Sequence, residues 1–139
     1  LRLRTSYRYP LYATFAALVL TGAGWLVSDW QKDVAGDEIW QQIAANLLMV
    51  HGGMAMLALL LLGALIPLHV QRSWRSGQNL GSGSVMAAIN AVLIMTAFGL
   101  YYLGSEAVRP FMSWIHLGAG FALAMMLPLH VWLGRRARR

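Results

Sequence analysis

Four histidines, His51, His69, His116 and His130, carry the strongest chemical signal in the chain: all lie inside long apolar stretches, where polar side chains are costly and functional by default. If those stretches are helices, the 18 residues from His51 to His69 return to the same azimuth after a rise of about 27 Å. The 14 from His116 to His130 end about 40° away after about 21 Å. Two histidines of one helix are thus too far apart to share a metal, so a ligand set must draw one imidazole from each helix. That gives two sites of two imidazoles. A closed zinc or copper site wants three or four protein ligands, and here there is no cysteine and no carboxylate near these depths to complete one. A haem brings four equatorial nitrogens of its own and needs only two axial ligands.

The elements that must position these residues follow from composition. The 139 residues are 58% hydrophobic and 12% charged, a balance that suits lipid better than water. Having no cysteine excludes disulfides, thiolate-bound iron–sulfur clusters and a cysteine nucleophile. A helix needs about 20 mostly apolar residues to cross a bilayer. Residues 11–28, 43–70, 85–103 and 111–133 qualify, with Pro10 and Pro110 at helix starts and a connection rich in Gly, Ser, Asn and Gln over 78–84. The first stretch reads as a span and not as a cleaved leader. The predicted fold class is an all-α membrane protein, one domain over residues 1–139, with four transmembrane helices in an up-down-up-down bundle.

The net charge of +6 belongs to the topology and not to a nucleic-acid-binding face. Arg2, Arg4, Arg8, Arg72, Arg75, Arg135, Arg136, Arg138 and Arg139 flank the spans on one side, and only Lys32 and Arg109 on the other, which predicts cytoplasmic termini. The acids Asp29, Asp33, Asp37, Glu38 and Glu106 all fall on the outer side. Trp25, Trp30, Trp40, Trp74, Trp114 and Trp132 stand near helix ends, as interfacial anchors do.

The second half of the chain partly repeats the first. His51-Gly52 and His116-Leu117-Gly118 stand at like places in the second and fourth spans, and Pro67-Leu68-His69-Val70 matches Pro128-Leu129-His130-Val131. The first and third spans share Thr21-x-x-Gly24 and Thr96-x-x-Gly99. In an up-down-up-down order this brings His51 level with His116 and His69 level with His130. Gly52, Gly53, Gly118 and Gly120 follow the outer histidines, with Gly24 and Gly99 at similar depth, and are expected to make room for a porphyrin. The four extra residues between His51 and His69 amount to about one added turn, which helix tilt or kinks at Pro67 and Pro128 would absorb.

The paired His51/His69 and His116/His130 on a duplicated helix pair resemble the bacterial four-helix transmembrane cytochrome b family, both b561-like proteins and the b subunits of hydrogenases and formate dehydrogenases. The resemblance covers nearly the whole chain as architecture, although the 18-residue spacing departs from the family's near-equal spacings and no quinone motif stands out. It implies two bis-histidine haem b groups, the outer held by His51 and His116 and the inner by His69 and His130. It further implies a bacterial inner-membrane electron-transfer subunit of a respiratory oxidoreductase complex, working between quinone and a partner redox subunit or periplasmic electron carrier.

Other readings stay open at this level. The eight methionines are simplest as gap-fillers. Asn46 and Asn90 would bond a propionate, a quinone or a neighbouring helix, and Arg72, Arg75, Arg109 and Arg135 are the cations nearest the expected propionates. The acidic 29–38 loop offers a docking surface for a basic partner. Two rivals use the same histidines differently: a haem-free anchor or assembly subunit whose histidines bridge helices, and a His-lined transporter, disfavoured by the lack of acids within the spans.

Overall fold

The computed structural model describes residues 4–77 and 79–136. Arg2, Arg138 and Arg139, counted above in the topology, and Gln78 lie outside them. Among the described residues the chain is all helix and turn, without a strand: α1 (Thr5–Ala35), α2 (Glu38–Leu65), a π-turn (Ile66–Val70), α3 (Gln71–Ser76), α4 (Leu80–Tyr102) and α5 (Arg109–Arg136). They form two compact units, Leu1–Gln71 and Arg72–Arg139, each built round one helical hairpin.

The first hairpin turns in two residues. Gly36 adopts the left-handed conformation at φ 64°, free of the steric cost a side chain would add, and its N–H returns to the Lys32 carbonyl at 3.1 Å. Asp37 then caps α2 by accepting from the Ile39 N–H at 3.2 Å. This tightness corrects the expected acidic loop over 29–38: Asp29 and Asp33 are helical, because the charged stretch simply extends α1 until its glycine cap. Asp29 pairs with Lys32 one turn on. The second hairpin turns through residues 103–108, where the Ser105 carbonyl accepts from the Val108 and Arg109 N–H groups and Pro110 enters the first turn of α5, needing no donor there.

Two further boundaries differ from expectation. Pro10 lies inside α1 and not at its start: Thr5 begins the helix, so Pro10 falls in the second turn, where it has no N–H to give to the carbonyl four residues earlier. The glycine- and serine-rich stretch expected to be a loop over 78–84 is helical from Leu80 onward, so Ser82 belongs to α4.

Both hairpins are antiparallel with a constant register. In the first, Thr21 lies against His51 and Gly24 against Leu47; in the second, Thr96 lies against His116, Gly99 against Met112, Ser82 against His130 and Asn79 against Gly134. Gly24 and Gly99 stand where the two helices of each hairpin meet. A Cβ on Gly24 would meet Leu47 at 3.2 Å, and one on Gly99 would meet Met112 at 3.4 Å, so both glycines bring the two helices of a hairpin together.

Four helical stretches, of 31, 39, 23 and 28 residues, are long and apolar enough to cross a bilayer, the second running from Glu38 through the π-turn to Ser76. Their apolar side chains point mostly outward: Leu20, Leu60 and Met125 are each more than 70% exposed, and only Leu11, Phe15, Ala44, Ala58 and Leu123 are buried apolar residues among those described. Three further polar residues of the long helices close on their own helix. Ser28 donates to the Gly24 carbonyl at 2.9 Å and Asn90 to Met86 at 2.8 Å, while Asn46 accepts from Gln42 at 3.2 Å. Water is not there to satisfy them, so the helix does. The chain is a multi-pass membrane protein.

Candidate functional site

Each hairpin holds one histidine in the same local setting. In the first, Thr21 Oγ1 on α1 stands 3.0 Å from Nδ1 of His51 on α2. In the second, Thr96 Oγ1 on α4 stands 2.9 Å from Nδ1 of His116 on α5. The duplication extends to the threonine's own bonds: Thr21 donates to the Ala17 carbonyl at 2.7 Å with Leu18 at 3.2 Å, and Thr96 to Val92 at 2.7 Å with Leu93 at 3.2 Å. The Thr-x-x-Gly repeat visible in the sequence is thus half of a contact whose other half is the repeated histidine. Its glycine closes the helix pair one turn further out.

The other two histidines are not built alike. His130 Nδ1 lies 2.9 Å from Ser82 Oγ in the first turn of α4, on the same face of α5 as His116. Sequence reading missed Ser82, because glycine and serine around it read as a loop. The signal that finds it is the hairpin register, which carries His130 to residue 82 once Thr96 is set against His116. All four histidines are half-buried.

His69 sits in the π-turn. Pro67 has no N–H to give to the Gly63 carbonyl, which instead accepts from Ile66, and the Gln71 N–H then reaches back to Ile66, one residue further than in an α-helix. The identical Pro-Leu-His-Val of α5 remains regular helix. The π-turn has a geometric result. Fifteen residues of α-helix from His51 to Ile66 end about 60° past a whole number of turns, and three more steps at roughly 80° leave His69 about 60° short of the His51 azimuth. His130 falls about 40° short of His116 by the regular rotation. A straight helix would have put His69 at zero offset, so widening one turn brings the two histidine pairs to nearly the same twist. It takes up the angular surplus of the four added residues.

Gly52, Gly53, Gly118 and Gly120 have room: a Cβ on any of them meets nothing within 4 Å. Gly22 is tight, since a methyl there would stand 3.3 Å from Cε1 of His51. Among the described residues no three His, Asp or Glu side chains come together. Each hairpin therefore offers paired single imidazoles and no multidentate carboxylate site.

Comparison with protein-family models, curated proteins and solved structures gave no match, so the class of protein rests on these residues.

Proposed function

We propose that this chain is a di-haem b-type cytochrome that relays electrons across the membrane, as a subunit of a larger oxidoreductase complex. The observation that supports this best is the repeated Thr–His pair. In both copies the hydrogen-bonded nitrogen is Nδ1, the arrangement found for metal-bound imidazoles, whose second ring nitrogen is held by an outer partner. His51 and His116 are the ligands of the outer site, His69 and His130 those of the inner one. The donor set fits haem: single imidazoles on apolar helices, with no cysteine in the chain and no group of three or more His, Asp or Glu among the described residues. Haem held by two of these histidines would supply a one-electron couple and no place for a substrate. Catalysis then belongs to a partner, which takes or gives electrons at one face while quinone serves the other.

The arginine distribution supports cytoplasmic termini in a bacterial inner membrane, with the acidic Asp29, Asp33, Asp37 and Glu38 turn outside. The resemblance to four-helix b subunits supports the same assignment. A second reading has an observation of its own. A Thr–His hydrogen bond also staples a hairpin without any cofactor, and a haem-free anchor subunit would use the histidines in that way.

Proteoliposomes separate the two. With ferricyanide enclosed, dithionite outside, and valinomycin with potassium present to cancel the membrane potential, the purified chain is expected to bleach the enclosed ferricyanide several-fold faster than protein-free vesicles. Equal rates in the two preparations would remove the relay.

A further inference from the structure

We propose that Thr21 and Thr96 are positioning residues that lock His51 and His116 in the tautomer protonated at Nδ1, making Nε2 the ligating nitrogen. Only what Nε2 holds depends on the haem reading; the tautomer follows from counting protons.

A threonine hydroxyl has one proton and two lone pairs. Thr21 Oγ1 lies 2.7 Å from the Ala17 carbonyl oxygen and Thr96 Oγ1 lies 2.7 Å from that of Val92, the usual length of an O–H···O bond. A carbonyl oxygen can only accept, so each hydroxyl proton is committed to the threonine's own helix. What Oγ1 then turns toward the ring is a lone pair, at 3.0 Å for His51 and 2.9 Å for His116, and the Leu18 carbonyl that also hydrogen-bonds the His51 ring can likewise only accept. That contact is a hydrogen bond only if Nδ1 carries the proton. A neutral imidazole has a single N–H, so the lone pair of each ring belongs to Nε2. The opposite tautomer would set two lone pairs against each other in surroundings without water.

The direction is imposed by α1 and α4, because back-bonding to the carbonyl four residues earlier is what a threonine inside an apolar helix does in any case. The helix backbone thus decides the chemistry of a side chain on the neighbouring helix. Two copies of the pair reach the same geometry from different surrounding sequence. The count does not extend to His130, since the residue four before Ser82 is Gln78, outside the described residues.

The test reads the rings directly. The purified chain, labelled with ¹⁵N-histidine and held reduced in detergent micelles, is examined by long-range ¹H–¹⁵N correlation, with each ring assigned from a single histidine variant. His51 and His116 are expected in the Nδ1–H pattern, by about tenfold or more over the other tautomer where no iron is bound. Bound iron also keeps the proton on Nδ1, so the variants are read at that N–H. Thr21→Val should shift the Nδ1–H signal of His51 alone and speed its exchange, and Thr96→Val that of His116 alone, while Thr21→Ser and Thr96→Ser, which keep the hydroxyl, should preserve both. In a haem-free sample the valine variants should also populate the other tautomer. An Nε2–H pattern in the unsubstituted protein, or valine variants whose rings do not change, would overturn the proposal. A colourless sample would remove the haem reading, yet the tautomers are still read on that same sample.

Discussion

Replacing His51 with alanine is expected to lower the haem content of the purified protein from about two per chain to about one, and His116→Ala to do the same. On the proposed reading each substitution would remove one of the two ligands of the outer haem. The other histidine of the same hairpin lies 18 residues on, in the π-turn after α2, or 14 residues and about 21 Å along α5, too far for the loss to reach it directly. The fold should survive. The hydrogen bond given up to Thr21 or Thr96 is worth about 1 kcal/mol, while the close contacts at Gly24 and Gly99 are untouched. The double variant His51→Ala/His116→Ala should retain the same single haem, because both substitutions empty one site. Loss of both haems from a folded double variant, or a further loss beyond that of either single variant, would show that the two residues do not share a site.

The second large effect is expected at a residue that touches no ligand. Pro67→Ala supplies an N–H four residues after the Gly63 carbonyl, which now accepts from Ile66, and α2 can then run on as regular helix. His69 would rotate by roughly 60° back to the His51 azimuth and lose the twist it shares with the His116–His130 pair. The inner haem should be lost or bound weakly while the outer one stays. Pro128→Ala is the control, since α5 is already regular there and His130 has no rotation to lose. Haem content and reduced-minus-oxidised spectra of the two variants provide the comparison. If Pro67→Ala keeps two haems with unaltered spectra, the π-turn plays no part in aiming His69.

The four spans were legible because the residues that decide them are local: apolar runs, flanking arginines, tryptophans at the ends. Their boundaries were less so. Asp29, Lys32 and Asp33 look like a loop on charge alone, but a helix leaving the membrane can carry charge until a left-handed residue stops it, and that residue is Gly36. Gly81, Ser82 and Gly83 look like a loop on propensity, yet they occupy the first turns of α4. That misreading hid Ser82, and with it the partner of His130. Thr21 and Thr96 were visible as a repeat, but their contact with His51 and His116 depends on the hairpin register, which turn geometry sets. Least legible was the π-turn. Pro-Leu-His-Val is the same four residues in both copies, and only the four-residue surplus in α2 hinted that one of them must be wound differently.

The most direct test of the central claim is the pyridine haemochrome assay on the unsubstituted chain purified in detergent. About two haem b per polypeptide, with a reduced spectrum of the low-spin bis-histidine type, is the predicted result. A folded, colourless protein would contradict it and leave the histidines as staples within their hairpins.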